Sequence, residues 1–157
     1  MLSDREREEI TEELKRHAAP RGACVDALRI VQNHRGFVPD EALHALAELL
    51  GMSAAELDGV ATFYNQIFRR PVGRHVLHLC DGVMCWMQGA PAVYAHLREH
   101  HGSAAGETTP DGRLTLLPAP CLGQCHCAPA LLLDGEPHGD ITPQRLDTLL
   151  AHCHGRG

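Results

Sequence analysis

The spacing of apolar residues along the chain changes near residue 72. Before this point apolar residues recur every three or four positions, as expected for amphipathic helices. Four helices are therefore predicted, over residues 4–17, 23–34, 40–50 and 54–60. The clearest apolar stripe lies in the third helix and consists of Leu43, Leu46, Ala47 and Leu50.

Residues at the predicted helix ends support these boundaries. Ser3 with Glu6, and Ser53 with Glu56, have the spacing of capping boxes. Asp40 is the expected N-cap of the third helix, and Gly51 is expected to end it. Residues 61–68 contain three aromatic side chains, for which core packing is the expectation and a docking surface is the alternative.

Residues 1–72 thus form an N-terminal helical bundle segment with a modest predicted core. Cys24, an isolated thiol in the second helix, is expected to be a small core residue. Because its apolar stripes are sparse, the segment is expected to lean on the rest of the chain or on another subunit.

After residue 72 the apolar residues form short runs typical of strands. Strands are predicted over 74–80, 113–118, 130–134 and 136–141, with helices over 89–100 and from Pro143 onward. Asp134-Gly135 is a hairpin-type turn signal, and Thr142 is the expected N-cap of the last helix. The order β-α-β-β-β-α is close to a thioredoxin-like fold. The predicted class is α+β: the helical segment, then a thioredoxin-like α/β domain over 73–157 with a small mixed sheet.

Two cysteine pairs follow the first two predicted strands. Cys80 and Cys85 form a C-x4-C pattern, and Cys121 and Cys125 form a C-x3-C pattern. Two loops at strand ends would each present two thiolates, and four thiolates are what a [2Fe–2S] cluster needs. The spacing therefore favours one such cluster.

Other uses of these cysteines have to be weighed. Zinc also binds four thiolates, although structural zinc sites usually have tighter C-x2-C knuckles. Seven cysteines is an odd number for a disulfide framework, and the N-terminus has no apolar signal-peptide core. On spacing alone, zinc and redox-active thiols remain open alternatives.

Charge and composition exclude several classes of partner. The formal net charge is −6 with neutral histidines, which argues against a nucleic-acid-binding surface and a polybasic membrane anchor. No apolar run has the length of a membrane span. The chain is expected to lie in the cytoplasm. Its twelve histidines contain no H-E-x-x-H motif and are expected to be solvated polar residues.

Nothing in the sequence indicates an active site. We find no nucleophile paired with a base and no G-x-G-x-x-G loop, so the chain is not expected to bind NADH or FMN by itself. The chemistry indicated is electron transfer performed by a cofactor.

Five segments resemble a known family. They are Gly-Phe-Val-Pro-Asp at 36–40, Gly-Val-Ala-Thr-Phe-Tyr at 59–64, Cys-Asp-Gly-Val-Met-Cys at 80–85, Asp-Gly-Arg-Leu-Thr-Leu-Leu-Pro at 111–118 and Cys-Leu-Gly-Gln-Cys at 121–125. Together they resemble the thioredoxin-like [2Fe–2S] ferredoxins, a family that includes the E subunit of bacterial NADH:quinone oxidoreductase, respiratory complex I. The resemblance covers about residues 23–152.

The resemblance implies a cofactor, ligands and a partner. Cys80, Cys85, Cys121 and Cys125 match the family's cluster ligands. The implied partner is the subunit that oxidises NADH at FMN, so the chain would be an electron-transfer subunit of a hetero-oligomer on the cytoplasmic side of the inner membrane. The equivalent subunits of NAD-linked formate dehydrogenases and NAD-reducing hydrogenases are alternatives.

Residues around the cysteines carry further expectations. Gly82 and Gly123 are expected to let backbone N–H groups approach sulfur, and Met84, Trp86 and Leu122 are candidates to screen a cluster from water. For Trp86, the only tryptophan, packing is the main expectation, and a cluster screen or a partner contact is the alternative. Cys127 departs from the family pattern, since it would make a C-x5-C spacing with Cys121. Cys127 could replace Cys125 as a ligand, but Cys125 is favoured because C-x3-C matches the family. We expect Cys153 to be a bystander.

Overall fold

The protein divides into two units, one formed by Met1–Pro71 and the other beginning at Val72. The structure is a computed structural model that describes the backbone of residues 1–154 and the side chains of residues 1–151. Cys153 therefore lies outside the described side chains.

Four α-helices form the first unit: α1 (Asp4–Leu14), α2 (Cys24–Arg35), α3 (Asp40–Leu50) and α4 (Ala54–Phe63). Helix α1 ends three residues before the predicted position. Ala19 is extended at the start of a short 3₁₀ turn (Pro20–Ala23), because a proline disfavours helical backbone in the residue before it. Helix α4 continues three residues beyond its predicted end.

The predicted caps are largely confirmed. Both capping boxes form, with Ser3 and Glu6 at α1 and Ser53 and Glu56 at α4, and Gly51 ends α3 in the left-handed region with φ 64°. The prediction for Asp40 was wrong, because the extended Pro39 is the N-cap of α3.

The core of the first unit is larger than its sequence indicated. It contains fourteen buried apolar residues, including Ile10, Leu28 and Leu57. Alanines that the apolar stripes did not single out, such as Ala27 and Ala61, are fully buried between the helices. Cys24 packs against the edge of this core, as expected.

The aromatic residues at the end of α4 differ from the main expectation. Phe63 is 78 % exposed and Tyr64 44 % exposed, and their rings meet edge to face with centroids 5.5 Å apart. After Phe63, the residue of this stretch that lies in the core is Ile67. Core packing was therefore the wrong prediction for Phe63 and Tyr64.

The second unit contains a four-stranded mixed sheet, as predicted. Its strands are β1 (His75–Cys80), β2 (Leu114–Ala119), β3 (Leu131–Leu133) and β4 (Glu136–His138), in the spatial order β2-β1-β3-β4. Strands β1 and β2 are parallel, whereas β1 with β3 and β3 with β4 are antiparallel.

The parallel pair places the two cysteine loops at the same edge of the sheet. Cys80 ends β1 in register with Ala119, which ends β2 two residues before Cys121. The carboxyl ends of parallel strands lie together, so both loops leave the sheet side by side.

Helices α5 (Val83–Met87) and α6 (Ala90–His101) connect β1 to β2, and α7 (Pro143–His154) follows β4. Apolar residues of the sheet, α6 and α7 form the second core, among them Leu77, Leu116, Leu97 and Leu146. Asp134 and Gly135 turn β3 into β4 with φ 52° and 86°, and Thr142 caps α7. Within residues 1–154, no helix combines the length and apolar character that a membrane span requires.

Candidate iron–sulfur site

The first cysteine pair is buried. Cys80 is 3 % exposed at the end of β1, and its N–H donates to the carbonyl of Ala130 at 3.1 Å. Cys85 is 2 % exposed in α5. Both pack with Ala90 and Ala130 in a small apolar cluster that is distinct from the main sheet core.

The C-x4-C segment is not the open loop that its spacing suggested. Gly82 is the N-cap of α5, and one short helical turn carries Cys85 into the interior. A side chain at Gly82 would be crowded, because a Cβ there would lie 3.2 Å from the carbonyl oxygen of Pro120 and 3.4 Å from the sulfur of Cys80. The glycine therefore allows the close approach between the two cysteine segments.

The second pair is exposed. Cys121 and Cys125 both face solvent, Cys125 at the start of a 3₁₀ turn (Cys125–Cys127). Leu122, between them, packs against the buried cluster that holds Cys80 and Cys85. The N–H of Gly123, which has φ 73°, donates to the sulfur of Cys121 at 3.4 Å. The expected approach of a backbone N–H to sulfur is thus present at Gly123.

The four predicted ligands are brought to one place. Burial raises the pKa of the Cys85 thiol, and neighbouring Cys80 and Cys125 raise it further. Cys121 belongs to the same group, because its Cα would lie 3.9 Å from a Cβ on Gly82. The buried sulfurs of Cys80 and Cys85 therefore lie beside the exposed segment that carries the sulfurs of Cys121 and Cys125.

In the described structure the sulfurs are not grouped as tightly as the four ligands of one tetrahedral zinc ion would be. Four sulfurs at zinc-bonding distance would lie about 3.8 Å apart. Among the described residues, no three cysteine sulfurs fall within 4.8 Å of one another. Two irons, each taking two thiolates, use a wider set of ligands. The donor set fits a [2Fe–2S] cluster better than zinc.

The side chain of Cys127 contacts Gln124 and Gly139. Its sulfur lies 3.5 Å from the amide oxygen of Gln124, and a Cβ added to Gly139 would lie 2.6 Å from the Cβ of Cys127. The side chain is thus packed onto Gly139 beside the candidate site.

The residues expected to screen a cluster lie mostly in solvent. Four side chains of α5 form an exposed apolar patch, with Val83 71 %, Met84 41 %, Trp86 58 % and Met87 72 % exposed. Leu122 alone of the three candidates is partly buried against the cysteines. We call the four exposed residues the α5 patch.

Comparison with known proteins decides the family. Residues 10–154 match the family described as thioredoxin-like [2Fe-2S] ferredoxin. The chain belongs to this ferredoxin family. The family and its cofactor are those predicted from the sequence.

Relatives of this ferredoxin extend along almost all of its length. It is 47 % identical over 150 residues to the E subunit of NADH-quinone oxidoreductase from Pseudomonas aeruginosa, covering 96 % of this chain and 90 % of the relative. It is 48 % identical over 149 residues to the protein of the same name from Escherichia coli (strain K12), covering 95 % and 90 %.

A solved structure of another oxidoreductase is also similar. In the NAD+-reducing [NiFe]-hydrogenase the match has a TM-score of 0.71 at 27 % identity, and it covers 85 % of this ferredoxin but 23 % of the hydrogenase chain. The fold is therefore shared between two kinds of NAD-linked oxidoreductase.

Proposed function

We propose that this chain is the electron-transferring E subunit of an NADH:quinone oxidoreductase, holding one [2Fe–2S] cluster on Cys80, Cys85, Cys121 and Cys125. The observation that carries the proposal is the convergence of these four thiols from two segments at one edge of the sheet. The relatives support the choice of complex, because the E subunits match at 47–48 % identity and the hydrogenase at 27 %.

The protein's part in the chemistry is to hold, bury and polarise the sulfurs. A bound cluster of this kind accepts and releases one electron at a time. Cys80 and Cys85 provide the buried side, where water is excluded. The N–H of Gly123 donates to the sulfur of Cys121, which stabilises negative charge there. Cys121 and Cys125 provide the exposed side, through which a partner can be reached.

We propose that the partner is the subunit that carries FMN and oxidises NADH. The α5 patch supports this proposal, since exposed apolar side chains grouped beside a redox site are typical of an interaction surface. The exposed Phe63 and Tyr64 give the helical unit a second candidate contact. The assembly would belong to a peripheral arm on the cytoplasmic side of the inner membrane.

Spectroscopy of the anaerobically purified chain tests the cofactor. We expect two irons and two sulfides per chain and an EPR signal that appears only after reduction with dithionite. Cys→Ser replacements at 80, 85, 121 and 125 should each reduce the iron and sulfide content, whereas Cys127→Ser should leave both unchanged. A colourless protein with one zinc and no sulfide would refute the proposal.

A further inference from the structure

Three polar side chains converge at the surface between α6 and α7. Nε2 of His96 lies 2.8 Å, and Nε2 of His101 lies 2.9 Å, from the same carboxylate oxygen, Oδ1 of Asp147. One ligand atom from each residue lies within 4.8 Å of the other two. Two imidazoles and one carboxylate therefore already point at a common centre.

The surroundings favour a defined site over a solvated surface contact. The side chains of His96 and His101 are 17 % and 19 % exposed, whereas that of Asp147 is 49 % exposed. The ring of His100 lies against that of His96 with centroids 4.4 Å apart, which restricts the orientation of the His96 ring. The imidazoles of His96 and His101 are thus held by packing. The exposed carboxylate of Asp147 leaves the centre accessible to solvent.

A second group of this general kind serves for comparison. In the helical unit, Nε2 of His17 lies 3.4 Å from Glu13 and 3.5 Å from Asp26. It has a single imidazole and longer separations than the group on α6 and α7. The tighter group, with two nitrogen donors, is the better candidate for a metal of intermediate softness.

We propose that His96, His101 and Asp147 bind one divalent transition-metal ion, with Zn²⁺ as the best-matched cation. Imidazole nitrogen at about 2.0–2.1 Å and carboxylate oxygen at about 2.0–2.2 Å are usual zinc ligands, and three protein ligands plus water complete a four-coordinate site. Insertion of the ion replaces the two N–H···O hydrogen bonds. The ligand atoms need to separate by about 0.5 Å to fit a tetrahedral ion.

The charge of Asp147 suits this role. Hydrogen bonds from His96 and His101 lower the pKa of its carboxyl group, so the group is ionised at neutral pH. Metal binding requires a lone pair on each ligating imidazole nitrogen, so the ion takes the place of the proton there.

The site is separate from the cysteines in position and in chemistry. Ala90, at the start of α6, packs with Cys80 and Cys85, whereas His101 is the last residue of the same helix. At 1.5 Å per residue these helix ends are roughly 16 Å apart. Its nitrogen and oxygen donors also differ from the softer sulfur donors of the four thiols.

A bound ion would fasten α7 to α6. The two helices already share the second core through Leu97 and Leu150. Because the ligands come from both helices, their arrangement exists only in the folded unit. Tighter binding to the folded unit than to the unfolded chain stabilises the fold by an amount that grows with the logarithm of the free zinc concentration relative to the dissociation constant.

Calorimetric titration of the cluster-loaded, untagged full chain with ZnCl2 tests the proposal. The background variant carries His152→Gln, Cys153→Ser and His154→Gln, so that these three residues contribute no zinc binding. We expect one zinc per chain at this site. His96→Gln, His101→Gln and Asp147→Asn should each weaken it at least tenfold, while the cluster absorbance stays constant through the titration.

Two matched controls remove an imidazole outside the site. His44→Gln removes an exposed imidazole of α3, and His17→Gln disrupts the group in the helical unit; both should bind zinc within twofold of the background protein. If the three ligand variants bind as tightly as the background, or if either control loses as much affinity, the proposal is wrong. Absence of binding at millimolar zinc also overturns it.

A second measurement keeps the test valid if a ligand variant folds poorly. In the background protein itself, NMR should show the imidazole signals of His96 and His101 shifting with zinc at one equivalent, and those of His17 unchanged. Zinc should also raise the thermal midpoint of the background protein. Shifts confined to other histidines would refute the assignment.

Discussion

Arg35 of α2 holds the buried carboxylate of Glu6 in α1 through two parallel hydrogen bonds. Nε donates to Oε1 at 2.6 Å and Nη2 donates to Oε2 at 2.7 Å. Glu6 is 1 % exposed and also accepts the backbone N–H of Ser3 in the α1 capping box. One side chain thus caps the first helix and fastens it to the second. The guanidinium is the main cause that lowers the pKa of Glu6 to about 2.

Replacing Glu6 by Gln should destabilise the helical unit. The substitution keeps the size of the side chain but leaves the Arg35 charge without its bidentate partner, which we expect to cost about 2 kcal/mol of unfolding free energy. Urea unfolding of the full chain, followed by helical circular dichroism at pH 7, measures this loss.

The matched control is Glu41→Gln. Glu41 also contacts Arg35, at 3.4 Å, but its side chain is 61 % exposed. Exposed ion pairs contribute little, so we expect a change below about 0.5 kcal/mol. Equal effects of the two substitutions would contradict the special role of Glu6.

The same pair should make stability depend on pH. The pKa of Glu6 is about 2 in the folded chain, against an ordinary value of 4.5. A depressed pKa stabilises the fold above the ordinary value, and the contribution is lost as pH falls toward the folded value. Between pH 7 and pH 4 we expect a loss of about 0.8 kcal/mol, and by pH 3 about 2 kcal/mol.

Unfolding of the wild type and Glu6→Gln at matched pH isolates this contribution. Acid loss of the cluster affects both proteins equally and cancels in their difference. The stability difference should shrink steadily below pH 4.5. A difference that is constant from pH 7 to pH 3 would show that ionisation of Glu6 is not responsible.

Gly123→Ala should lower the reduction potential of the cluster. Gly123 has φ 73°, a conformation that costs alanine about 1–2 kcal/mol, so the backbone is expected to shift and lengthen the 3.4 Å contact with Cys121. Loss of N–H donation disfavours the more negative reduced state. An effect of about 1 kcal/mol corresponds to roughly 40 mV for one electron. Redox titration followed by EPR measures the shift.

Gly112→Ala is the control for backbone strain alone. Gly112 has φ 70°, and no atom lies within 4 Å of a Cβ added there. It precedes β2, at the end of the strand opposite the one that leads to the cysteines. Its replacement should cost similar stability and leave the potential unchanged. A potential shift of equal size in both variants would rule out the hydrogen bond as the cause.

Gly139→Ala should destabilise the second unit. An added Cβ would lie 2.6 Å from the Cβ of Cys127 and 2.8 Å from its carbonyl oxygen, so backbone has to move. Such overpacking costs about 2 kcal/mol. The same substitution at Gly59, an exposed position in α4 with nothing within 4 Å, should instead stabilise the protein by about 0.5–1 kcal/mol. Thermal or urea unfolding distinguishes the opposite signs.

The sequence predicted the features that depend on local pattern. Capping boxes need two residues three apart, and the order of the four strands with helices after the first and the last follows from runs of apolar residues, so both were confirmed. The short helix α5 between β1 and α6 was not predicted. The meeting of Cys80 with Cys121 depends on parallel pairing of β1 and β2. The spacing of the cysteines alone left zinc and redox-active thiols as alternatives to a cluster. The resemblance to the family favoured the cluster.

Features set by burial between distant residues were harder to predict. Phe63 and Trp86 are aromatic and were expected mainly to pack, yet both face solvent. The sequence pattern predicts solvated side chains for His96 and His101, because nothing in their spacing indicates Asp147, which lies on another helix. Only the packing of α6 with α7 brings those three groups together.

Trp86→Ala should weaken binding to the flavin-bearing subunit that we propose as the partner, without weakening the fold. The side chain is 58 % exposed in the α5 patch, so its removal creates no cavity, whereas aromatic residues often contribute most of the affinity at an interface. We expect at least a tenfold increase in dissociation constant, measured by titrating the cluster-loaded chain into the partner.

Phe63→Ala tests the helical unit in the same way, because Phe63 is 78 % exposed there. Cluster content and thermal midpoint should stay at wild-type values in both variants. If Phe63→Ala alone weakens binding, the contact lies on the helical unit and not on the α5 patch; if neither does, both surfaces are excluded as the main contact.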